Sequence, residues 1–194
     1  MTFQATGIPG AWLFSANTLH DSRGSFQESF RLDHIEETLN RPFSVRQINQ
    51  SVSKAGVIRG IHFAKNPPGQ AKYVACTRGS VWDIVVDLRV GSPTFGASVG
   101  TLLTAENGAA VLIEKGLGHA FVSLKDDSSV NYLCDEYYSP ENEYGVSIFD
   151  LGLNIDLTAI ATEYKIDQWL LSEKDQSAPA LSELQASGVL PSYL

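Results

Sequence analysis

Apolar residues recur along the chain in short runs separated by polar turns. Residues 11–14 come first, then 43–50, 57–63, 72–76 and 80–89, and later 100–104, 109–113, 120–124, 130–134 and 145–149. The runs are rich in β-branched and aromatic residues, and Gly, Pro, Asn or Asp marks most of the gaps. That rhythm predicts an antiparallel sandwich or barrel of short strands. Apolar residues at helical spacing are confined to residues 31–39 and to a segment that starts at Leu181, after Pro179. No internal repeat, low-complexity tract or linker interrupts the pattern. Residues 1–194 are therefore expected to form one all-β domain of jelly-roll type, with short helices in the N-terminal third and near the C-terminus.

Composition narrows the function. Hydrophobic residues make up 43% of the 194 positions and charged residues 19%, enough to bury a core. The formal net charge of -8 repels nucleic acid and anionic membrane, so a polyanionic ligand has to be met by a local basic pocket. No stretch approaches the roughly 18 apolar residues needed to span a bilayer. Residues 1–10 show neither the basic start nor the apolar run of a signal peptide. The two cysteines, Cys76 and Cys134, lie in apolar strand-like runs without metal-binding spacing. They read as buried thiols of a cytoplasmic protein.

Four histidines occur. His34 falls in the polar part of the first helix, and His20 precedes the turn Asp21-Ser22-Arg23-Gly24. His62 stands inside a strand, where strict alternation puts Ile58, Gly60 and His62 on one face and Arg59, Ile61 and Phe63 on the other. His119 follows Gly116-Leu117-Gly118 and opens another strand. An imidazole among apolar neighbours needs a polar partner or a cavity. Pattern alone leaves both histidines open between these two readings. Arg59, Lys72 and Arg23 tilt the balance, because a cation in or beside an apolar strand is costly unless an anion compensates it. A bound diphosphate would be such an anion.

A set of motifs then becomes specific. In order they are Asp21-Ser22-Arg23-Gly24, Arg59-Gly60-Ile61-His62-Phe63, Gln70-Ala71-Lys72-Tyr73-Val74 and Val85-Val86-Asp87-Leu88-Arg89. Gly91-Ser92-Pro93-Thr94-Phe95-Gly96, Gly116-Leu117-Gly118-His119-Ala120-Phe121, Tyr132-Leu133-Cys134 and Leu171-Ser172-Glu173-Lys174-Asp175 follow. Together, from about residue 3 to 190, they resemble the dTDP-4-dehydrorhamnose 3,5-epimerase family. The resemblance implies a cupin-type jelly-roll barrel that works without cofactor or metal. It implies His62 as general base, Asp175 as the carboxylate that orients it, and Tyr132 as the general acid on the opposite face. Lys72 matches the cation beside the C4 oxygen and His119 a substrate-contacting histidine. Arg23, Glu28, Gln47, Asn49, Arg59, Glu143 and Lys174 match nucleotide- and diphosphate-binding positions, and Tyr138 the ring that stacks on thymine. It also implies a homodimer with exchanged N-terminal strands, the partner contributing to each pocket around Glu28.

Physical chemistry makes those roles intelligible. A C–H bond beside a ketone is acidic only if the enolate is stabilised, which a lysine at the oxygen does. Imidazole, which ordinarily titrates at about pH 6.5, suits a base working near neutrality, and a carboxylate on its other nitrogen fixes the tautomer. The substrate's own ketone is the electron sink.

The chain departs from the family pattern at Ala120, where Gly is usual, and over 150–157, where a Pro and a Trp are usual. The path into Asp175 is therefore not given by the resemblance. A metal-dependent oxygenase or isomerase on the same barrel would need a His-x-His pair, and Phe63 and Ala64 follow His62 instead. A non-catalytic sugar-binding module would keep the cations and Tyr138 without needing His62, Tyr132 and Asp175 together. Nothing in the sequence counts the inverted carbons. Double epimerisation at C3 and C5 is the expected outcome, with a single epimerisation as the alternative.

Overall fold

The computed structural model describes residues 2–193. The first strands in chain order are β1 (Thr2–Ala5), β2 (Ala11–Ser15), β3 (Thr18–Asp21) and β4 (Gly24–Gln27), followed by helix α1 (Leu32–Leu39). Then come β5 (Gln47–Ser53), β6 (Ile58–Ala64), β7 (Lys72–Arg78), β8 (Ser80–Asp87) and β9 (Ser98–Thr104). After them come β10 (Ala109–Ile113), β11 (Leu117–Ser123), β12 (Ser128–Cys134) and β13 (Glu143–Gly145). Helices α2 (Leu157–Tyr164), α3 (Glu173–Gln176) and α4 (Leu181–Ser187) complete the chain.

The strands form a six-stranded sheet in the order β1-β2-β10-β7-β12-β5 and a five-stranded sheet in the order β13-β6-β11-β8-β9. Every pairing within them is antiparallel. The result is an all-β jelly roll of the cupin type. Strands β3 and β4 stand apart as a two-stranded hairpin.

Period-2 side-chain alternation sorts residues into layers. Between the sheets lie Val74, Cys76, Val81, Val85, Val111, Phe121 and Val130. The outer face of the five-stranded sheet carries Ile58, Ile61, Phe63, Ile84, Val86 and Val122, covered by Leu157 and Ile160 of α2 and Leu184 of α4. The outer face of the six-stranded sheet carries Phe14, Tyr73, Ala110 and Leu112, capped by Ile35 of α1 and by Phe43. A strand covered on both faces reads as a continuous apolar run, which explains why all five residues of β10 are buried. Burying each such aliphatic or aromatic side chain stabilises the fold by about 1.5–3 kcal/mol.

Several expectations need correction. The helical signal is not confined to two places, because α2 and α3 also form. Asp156 caps α2 by accepting from the Ala159 N–H at 2.8 Å, and Leu157 and Ile160 bury its inner face. The run 43–50 becomes a strand only from Gln47, and the run 145–149 only through Gly145. Val146 and Ile148 supplied the apolar signal there, yet they pack into the core from a loop. The short strands β1, β3 and β4 carry too little pattern to have been foreseen.

Candidate active site

Strand β6 positions two of the functional side chains by departing from strict alternation. Opposite it on β11, His119 pairs with His62 and Phe121 with Arg59. Two steps on β11 thus match three on β6, so β6 carries one extra residue, a β-bulge. Gly60 accommodates it with φ of 103°. A Cβ at Gly60 would lie 2.4 Å from the His119 carbonyl oxygen, so no other residue fits. The bulge reverses the parity. Arg59 and His62, expected on opposite faces, both line one cavity, while Ile58, Ile61 and Phe63 share the outer layer.

That cavity has a volume of about 560 Å³, the size of a site for a small organic ligand. The five-stranded sheet contributes Arg59, His62, His119 and Phe121, and the six-stranded sheet contributes Asn49, Ser51, Lys72, Tyr132 and Cys134. Tyr138, Glu143, Leu171, Lys174 and Asp175 close it.

Asp175 reaches His62 from far along the chain. The stretch 150–156 leads into helix α2, and beyond the helix the chain is stitched to the turn before β6. The Leu170 N–H donates to the Gly56 carbonyl and the Ile58 N–H to the Leu170 carbonyl, both at 2.9 Å. Ser172 then caps the single turn α3 by accepting from the Asp175 N–H at 3.1 Å. The buried Asp175 carboxylate lies 2.6 Å from His62 Nε2. An ionised carboxylate only accepts, so Nε2 carries the proton and Nδ1 keeps its lone pair. Glu143 approaches Nδ1 at 3.9 Å, and the same oxygen lies 3.8 Å from Lys174 Nζ.

On the facing wall Tyr132 is flanked by His119, ring centroids 6.0 Å apart, and by Phe121 at 6.3 Å. Burial pushes its phenol up to about 12, and the Asp83 carboxylate adds to the rise. Tyr132 is thus a neutral phenol near neutral pH and able to carry a proton. Behind it, His119 Nε2 donates to Asp83 at 2.7 Å. Lys72 and Arg59 have no carboxylate partner among the described residues. The Arg59 Nε donates to Ser53 Oγ at 3.1 Å. Unpaired cations lining a cavity favour a bound anion.

Ten of the thirteen residues singled out from the sequence meet at this cavity. Gln47 does not line it but stands behind it. Its side chain donates to Asn49 and accepts from the Tyr138 N–H, each at 2.8 Å. Arg23 and Glu28 are not brought there by their own chain. Arg23 lies at the exposed tip of the β3–β4 hairpin, ion-paired with Asp21, and Glu28 follows that hairpin and is exposed. Sequence reasoning missed Asp83, Ser51, Ser53 and Ser172. The signal for Asp83 was present, an acid flanked by apolar residues inside the longest apolar run.

Among the described residues, no three His, Cys, Asp or Glu side chains come together as a metal-binding group. The arrangement sets an imidazole held by a carboxylate, a neutral phenol on the opposite wall and unpaired cations around one cavity.

Comparison with known proteins places this geometry. The family model described as dTDP-4-dehydrorhamnose 3,5-epimerase matches residues 5–183. The dTDP-4-dehydrorhamnose 3,5-epimerase of Mycolicibacterium smegmatis is 45% identical over 193 residues, covering 100% of this chain and 92% of its own. The crystal structure of the Mycobacterium tuberculosis rmlC epimerase superposes with a TM-score of 0.94 at 40% identity, covering 100% and 94% of the two chains. A 3'-monoepimerase from Streptomyces bikiniensis, solved in complex with dTDP-quinovose, is similar with a TM-score of 0.88 at 41% identity, covering 96% and 91%.

Proposed function

The chain belongs to the dTDP-4-dehydrorhamnose 3,5-epimerase family and is an isomerase, and from that premise we propose that it inverts C3 and C5 of dTDP-4-keto-6-deoxy-D-glucose. The observation that carries the reading is the placement of His62 and Tyr132 on opposite sheets facing one cavity. His62, held by Asp175, takes the proton from the carbon beside the ketone through Nδ1. The C–H electrons form the enolate double bond, and the negative charge gathers on the C4 oxygen beside Lys72. Tyr132 returns a proton from the other face as the ketone re-forms. The ketone accepts and returns the electrons, so the chemistry calls for no redox cofactor. Arg59 and Lys174 hold the diphosphate, Tyr138 stacks on thymine, and Asn49, Gln47, Glu143 and His119 order the rest of the substrate.

The proposal includes a homodimer. The β3–β4 hairpin exposes Phe26 by 71% and Leu19 by 59%, which suits contact with a second copy and would carry Arg23 and Glu28 to the partner's cavity. The N-terminal strand β1 pairs with β2 of its own chain and leaves its other edge free. Strand exchange would use that edge. We take the described residues as a single domain. A cytoplasmic location is in keeping with the two free, buried cysteines. No helix among the described residues is long and apolar enough to cross a membrane.

The test is incubation with dTDP-4-keto-6-deoxy-D-glucose in deuterium oxide, followed by NMR. Deuterium and inverted configuration at both C3 and C5 are expected. Inversion at C3 alone, after long incubation with excess enzyme, would replace this reading with the single epimerisation of the Streptomyces bikiniensis relative.

A further inference from the structure

The acid in this scheme has a supply problem. Tyr132 must regain a proton from solvent after each inversion, and a double epimerase needs that twice. Its ring is flanked by His119 and Phe121, and the residue is half-buried in the cavity wall. Among the described residues, the one hydrogen-bond partner of its hydroxyl is Ser51, with the oxygens 3.4 Å apart and either able to donate.

Ser51 is placed where a relay would have to be. It lies on β5, the outermost strand of its sheet, is half-buried, and lines the same cavity. On β12, Val130 is its cross-strand partner, and Tyr132 is paired with Asn49. Ser51 and Tyr132 are thus diagonal neighbours on one face, within reach of each other's side chains. A separation of 3.4 Å is long for paired hydroxyls, whose usual distance is about 2.7–2.8 Å. Contacts of this kind tighten when substrate fills the site.

We propose that Ser51 is a positioning residue that returns solvent protons to Tyr132, so that one bound sugar can be reprotonated at two carbons. This rests on the reading of Tyr132 as the acid. In the resting state the phenol donates to Ser51 Oγ and is aimed by it. Once Tyr132 has given its proton to carbon, the phenolate takes the Ser51 hydroxyl proton in concert with Ser51 taking one from a solvent water at the cavity mouth. The proton that His62 removed leaves to solvent, so the cycle is balanced.

Ser51→Ala, Ser51→Thr and Tyr132→Phe would be followed side by side by NMR in deuterium oxide. In Ser51→Ala, kcat should fall about 10–100-fold with KM near that of the parent, less than the roughly 10²–10⁴-fold expected when the acid itself is removed. Base-face exchange by His62 should persist, and a product inverted at only one carbon should accumulate before the doubly inverted one. Ser51→Thr, which keeps the hydroxyl, should restore both rate and product order. If Tyr132→Phe fails to invert while Ser51→Ala inverts both carbons at the parent rate, the relay falls and the acid stands. If Tyr132→Phe inverts normally, the acid assignment falls and takes the relay with it. A Ser51→Ala defect that threonine does not rescue would also overturn the relay.

Discussion

His62 and His119 sit directly opposite each other on the β6–β11 ladder, and each donates to an aspartate, at 2.6 and 2.7 Å. The two pairs are built differently. Asp83 comes from β8, the neighbouring strand of the same sheet, and its pair is sealed, with side-chain exposures of 6% for His119 and 0% for Asp83. Asp175 comes from a one-turn helix 113 residues beyond His62, and His62 keeps 27% of its side chain exposed. A pair fixed within a sheet is set by register and buries both of its partners. A pair closed by a segment from outside the sheet leaves one imidazole edge in the cavity. The same two residue types can therefore serve structure in one place and proton transfer in the other.

The comparison breaks most visibly in turnover. His62→Ala should lower the inversion rate by about 10²–10⁴-fold and also stop loss of the substrate's ring protons, while dTDP binding and the melting temperature stay near the parent values. His119→Ala, which also removes a substrate contact, should keep proton exchange measurable and lose stability. Should His119→Ala abolish ring-proton loss as fully as His62→Ala, the two pairs are not divided as described.

A smaller contrast lies in the aspartates. Asp175→Asn should reduce turnover, because the amide no longer fixes the proton on Nε2, and should leave chemical denaturation almost unchanged. Asp83→Ala should shift the denaturation midpoint by an amount equivalent to about 1–3 kcal/mol, the cost of leaving a buried imidazole donor unpaired. Equal stability losses in the two variants would erase the distinction between sealed and open pairs.

These differences also explain what could be read from the chain. Alternation left His119 open between a core and a cavity position, and the structure places it, with Lys72 and Tyr132, on the cavity wall. Strand β6 departs from strict alternation. One extra residue at Gly60 reverses the face of everything beyond it, and the glycine inside the strand was its one local sign. Asp83 was overlooked because its neighbours made the middle of β8 look like pure core, although an acid buried there demands a partner. Helix α2 was legible in principle from the Asp156 cap and the spacing of Leu157 and Ile160. Arg23 and Glu28 lie on an element with no anchor to their own cavity, so no property of a single chain could place them there. The roles of base, acid and stacking ring came from the family resemblance, and geometry supplied their partners.

The finest contrast concerns Tyr132, which borders the sealed pair. Its ionisation is raised to about 12, first by burial and then by the Asp83 carboxylate, while Ser51 and Arg59 oppose the rise. Asp175 is not among the causes. A folded-state value above the unfolded one, near 10, means that the folded protein holds this proton more tightly. The associated stability is complete below about pH 10 and is lost as pH climbs towards about 12. Asp83→Asn removes one raising influence but not burial, so the ionisation should move down yet remain above about 10. Asp175→Asn should leave it in place. Tyrosinate absorbance against pH, taken as the difference between each protein and its Tyr132→Phe counterpart, isolates this phenol from Tyr73, whose ionisation is also raised by burial. A shift in Asp175→Asn as large as that in Asp83→Asn would mean that the open pair reaches the acid electrostatically. The two walls of the cavity would then titrate as one unit rather than as separate base and acid.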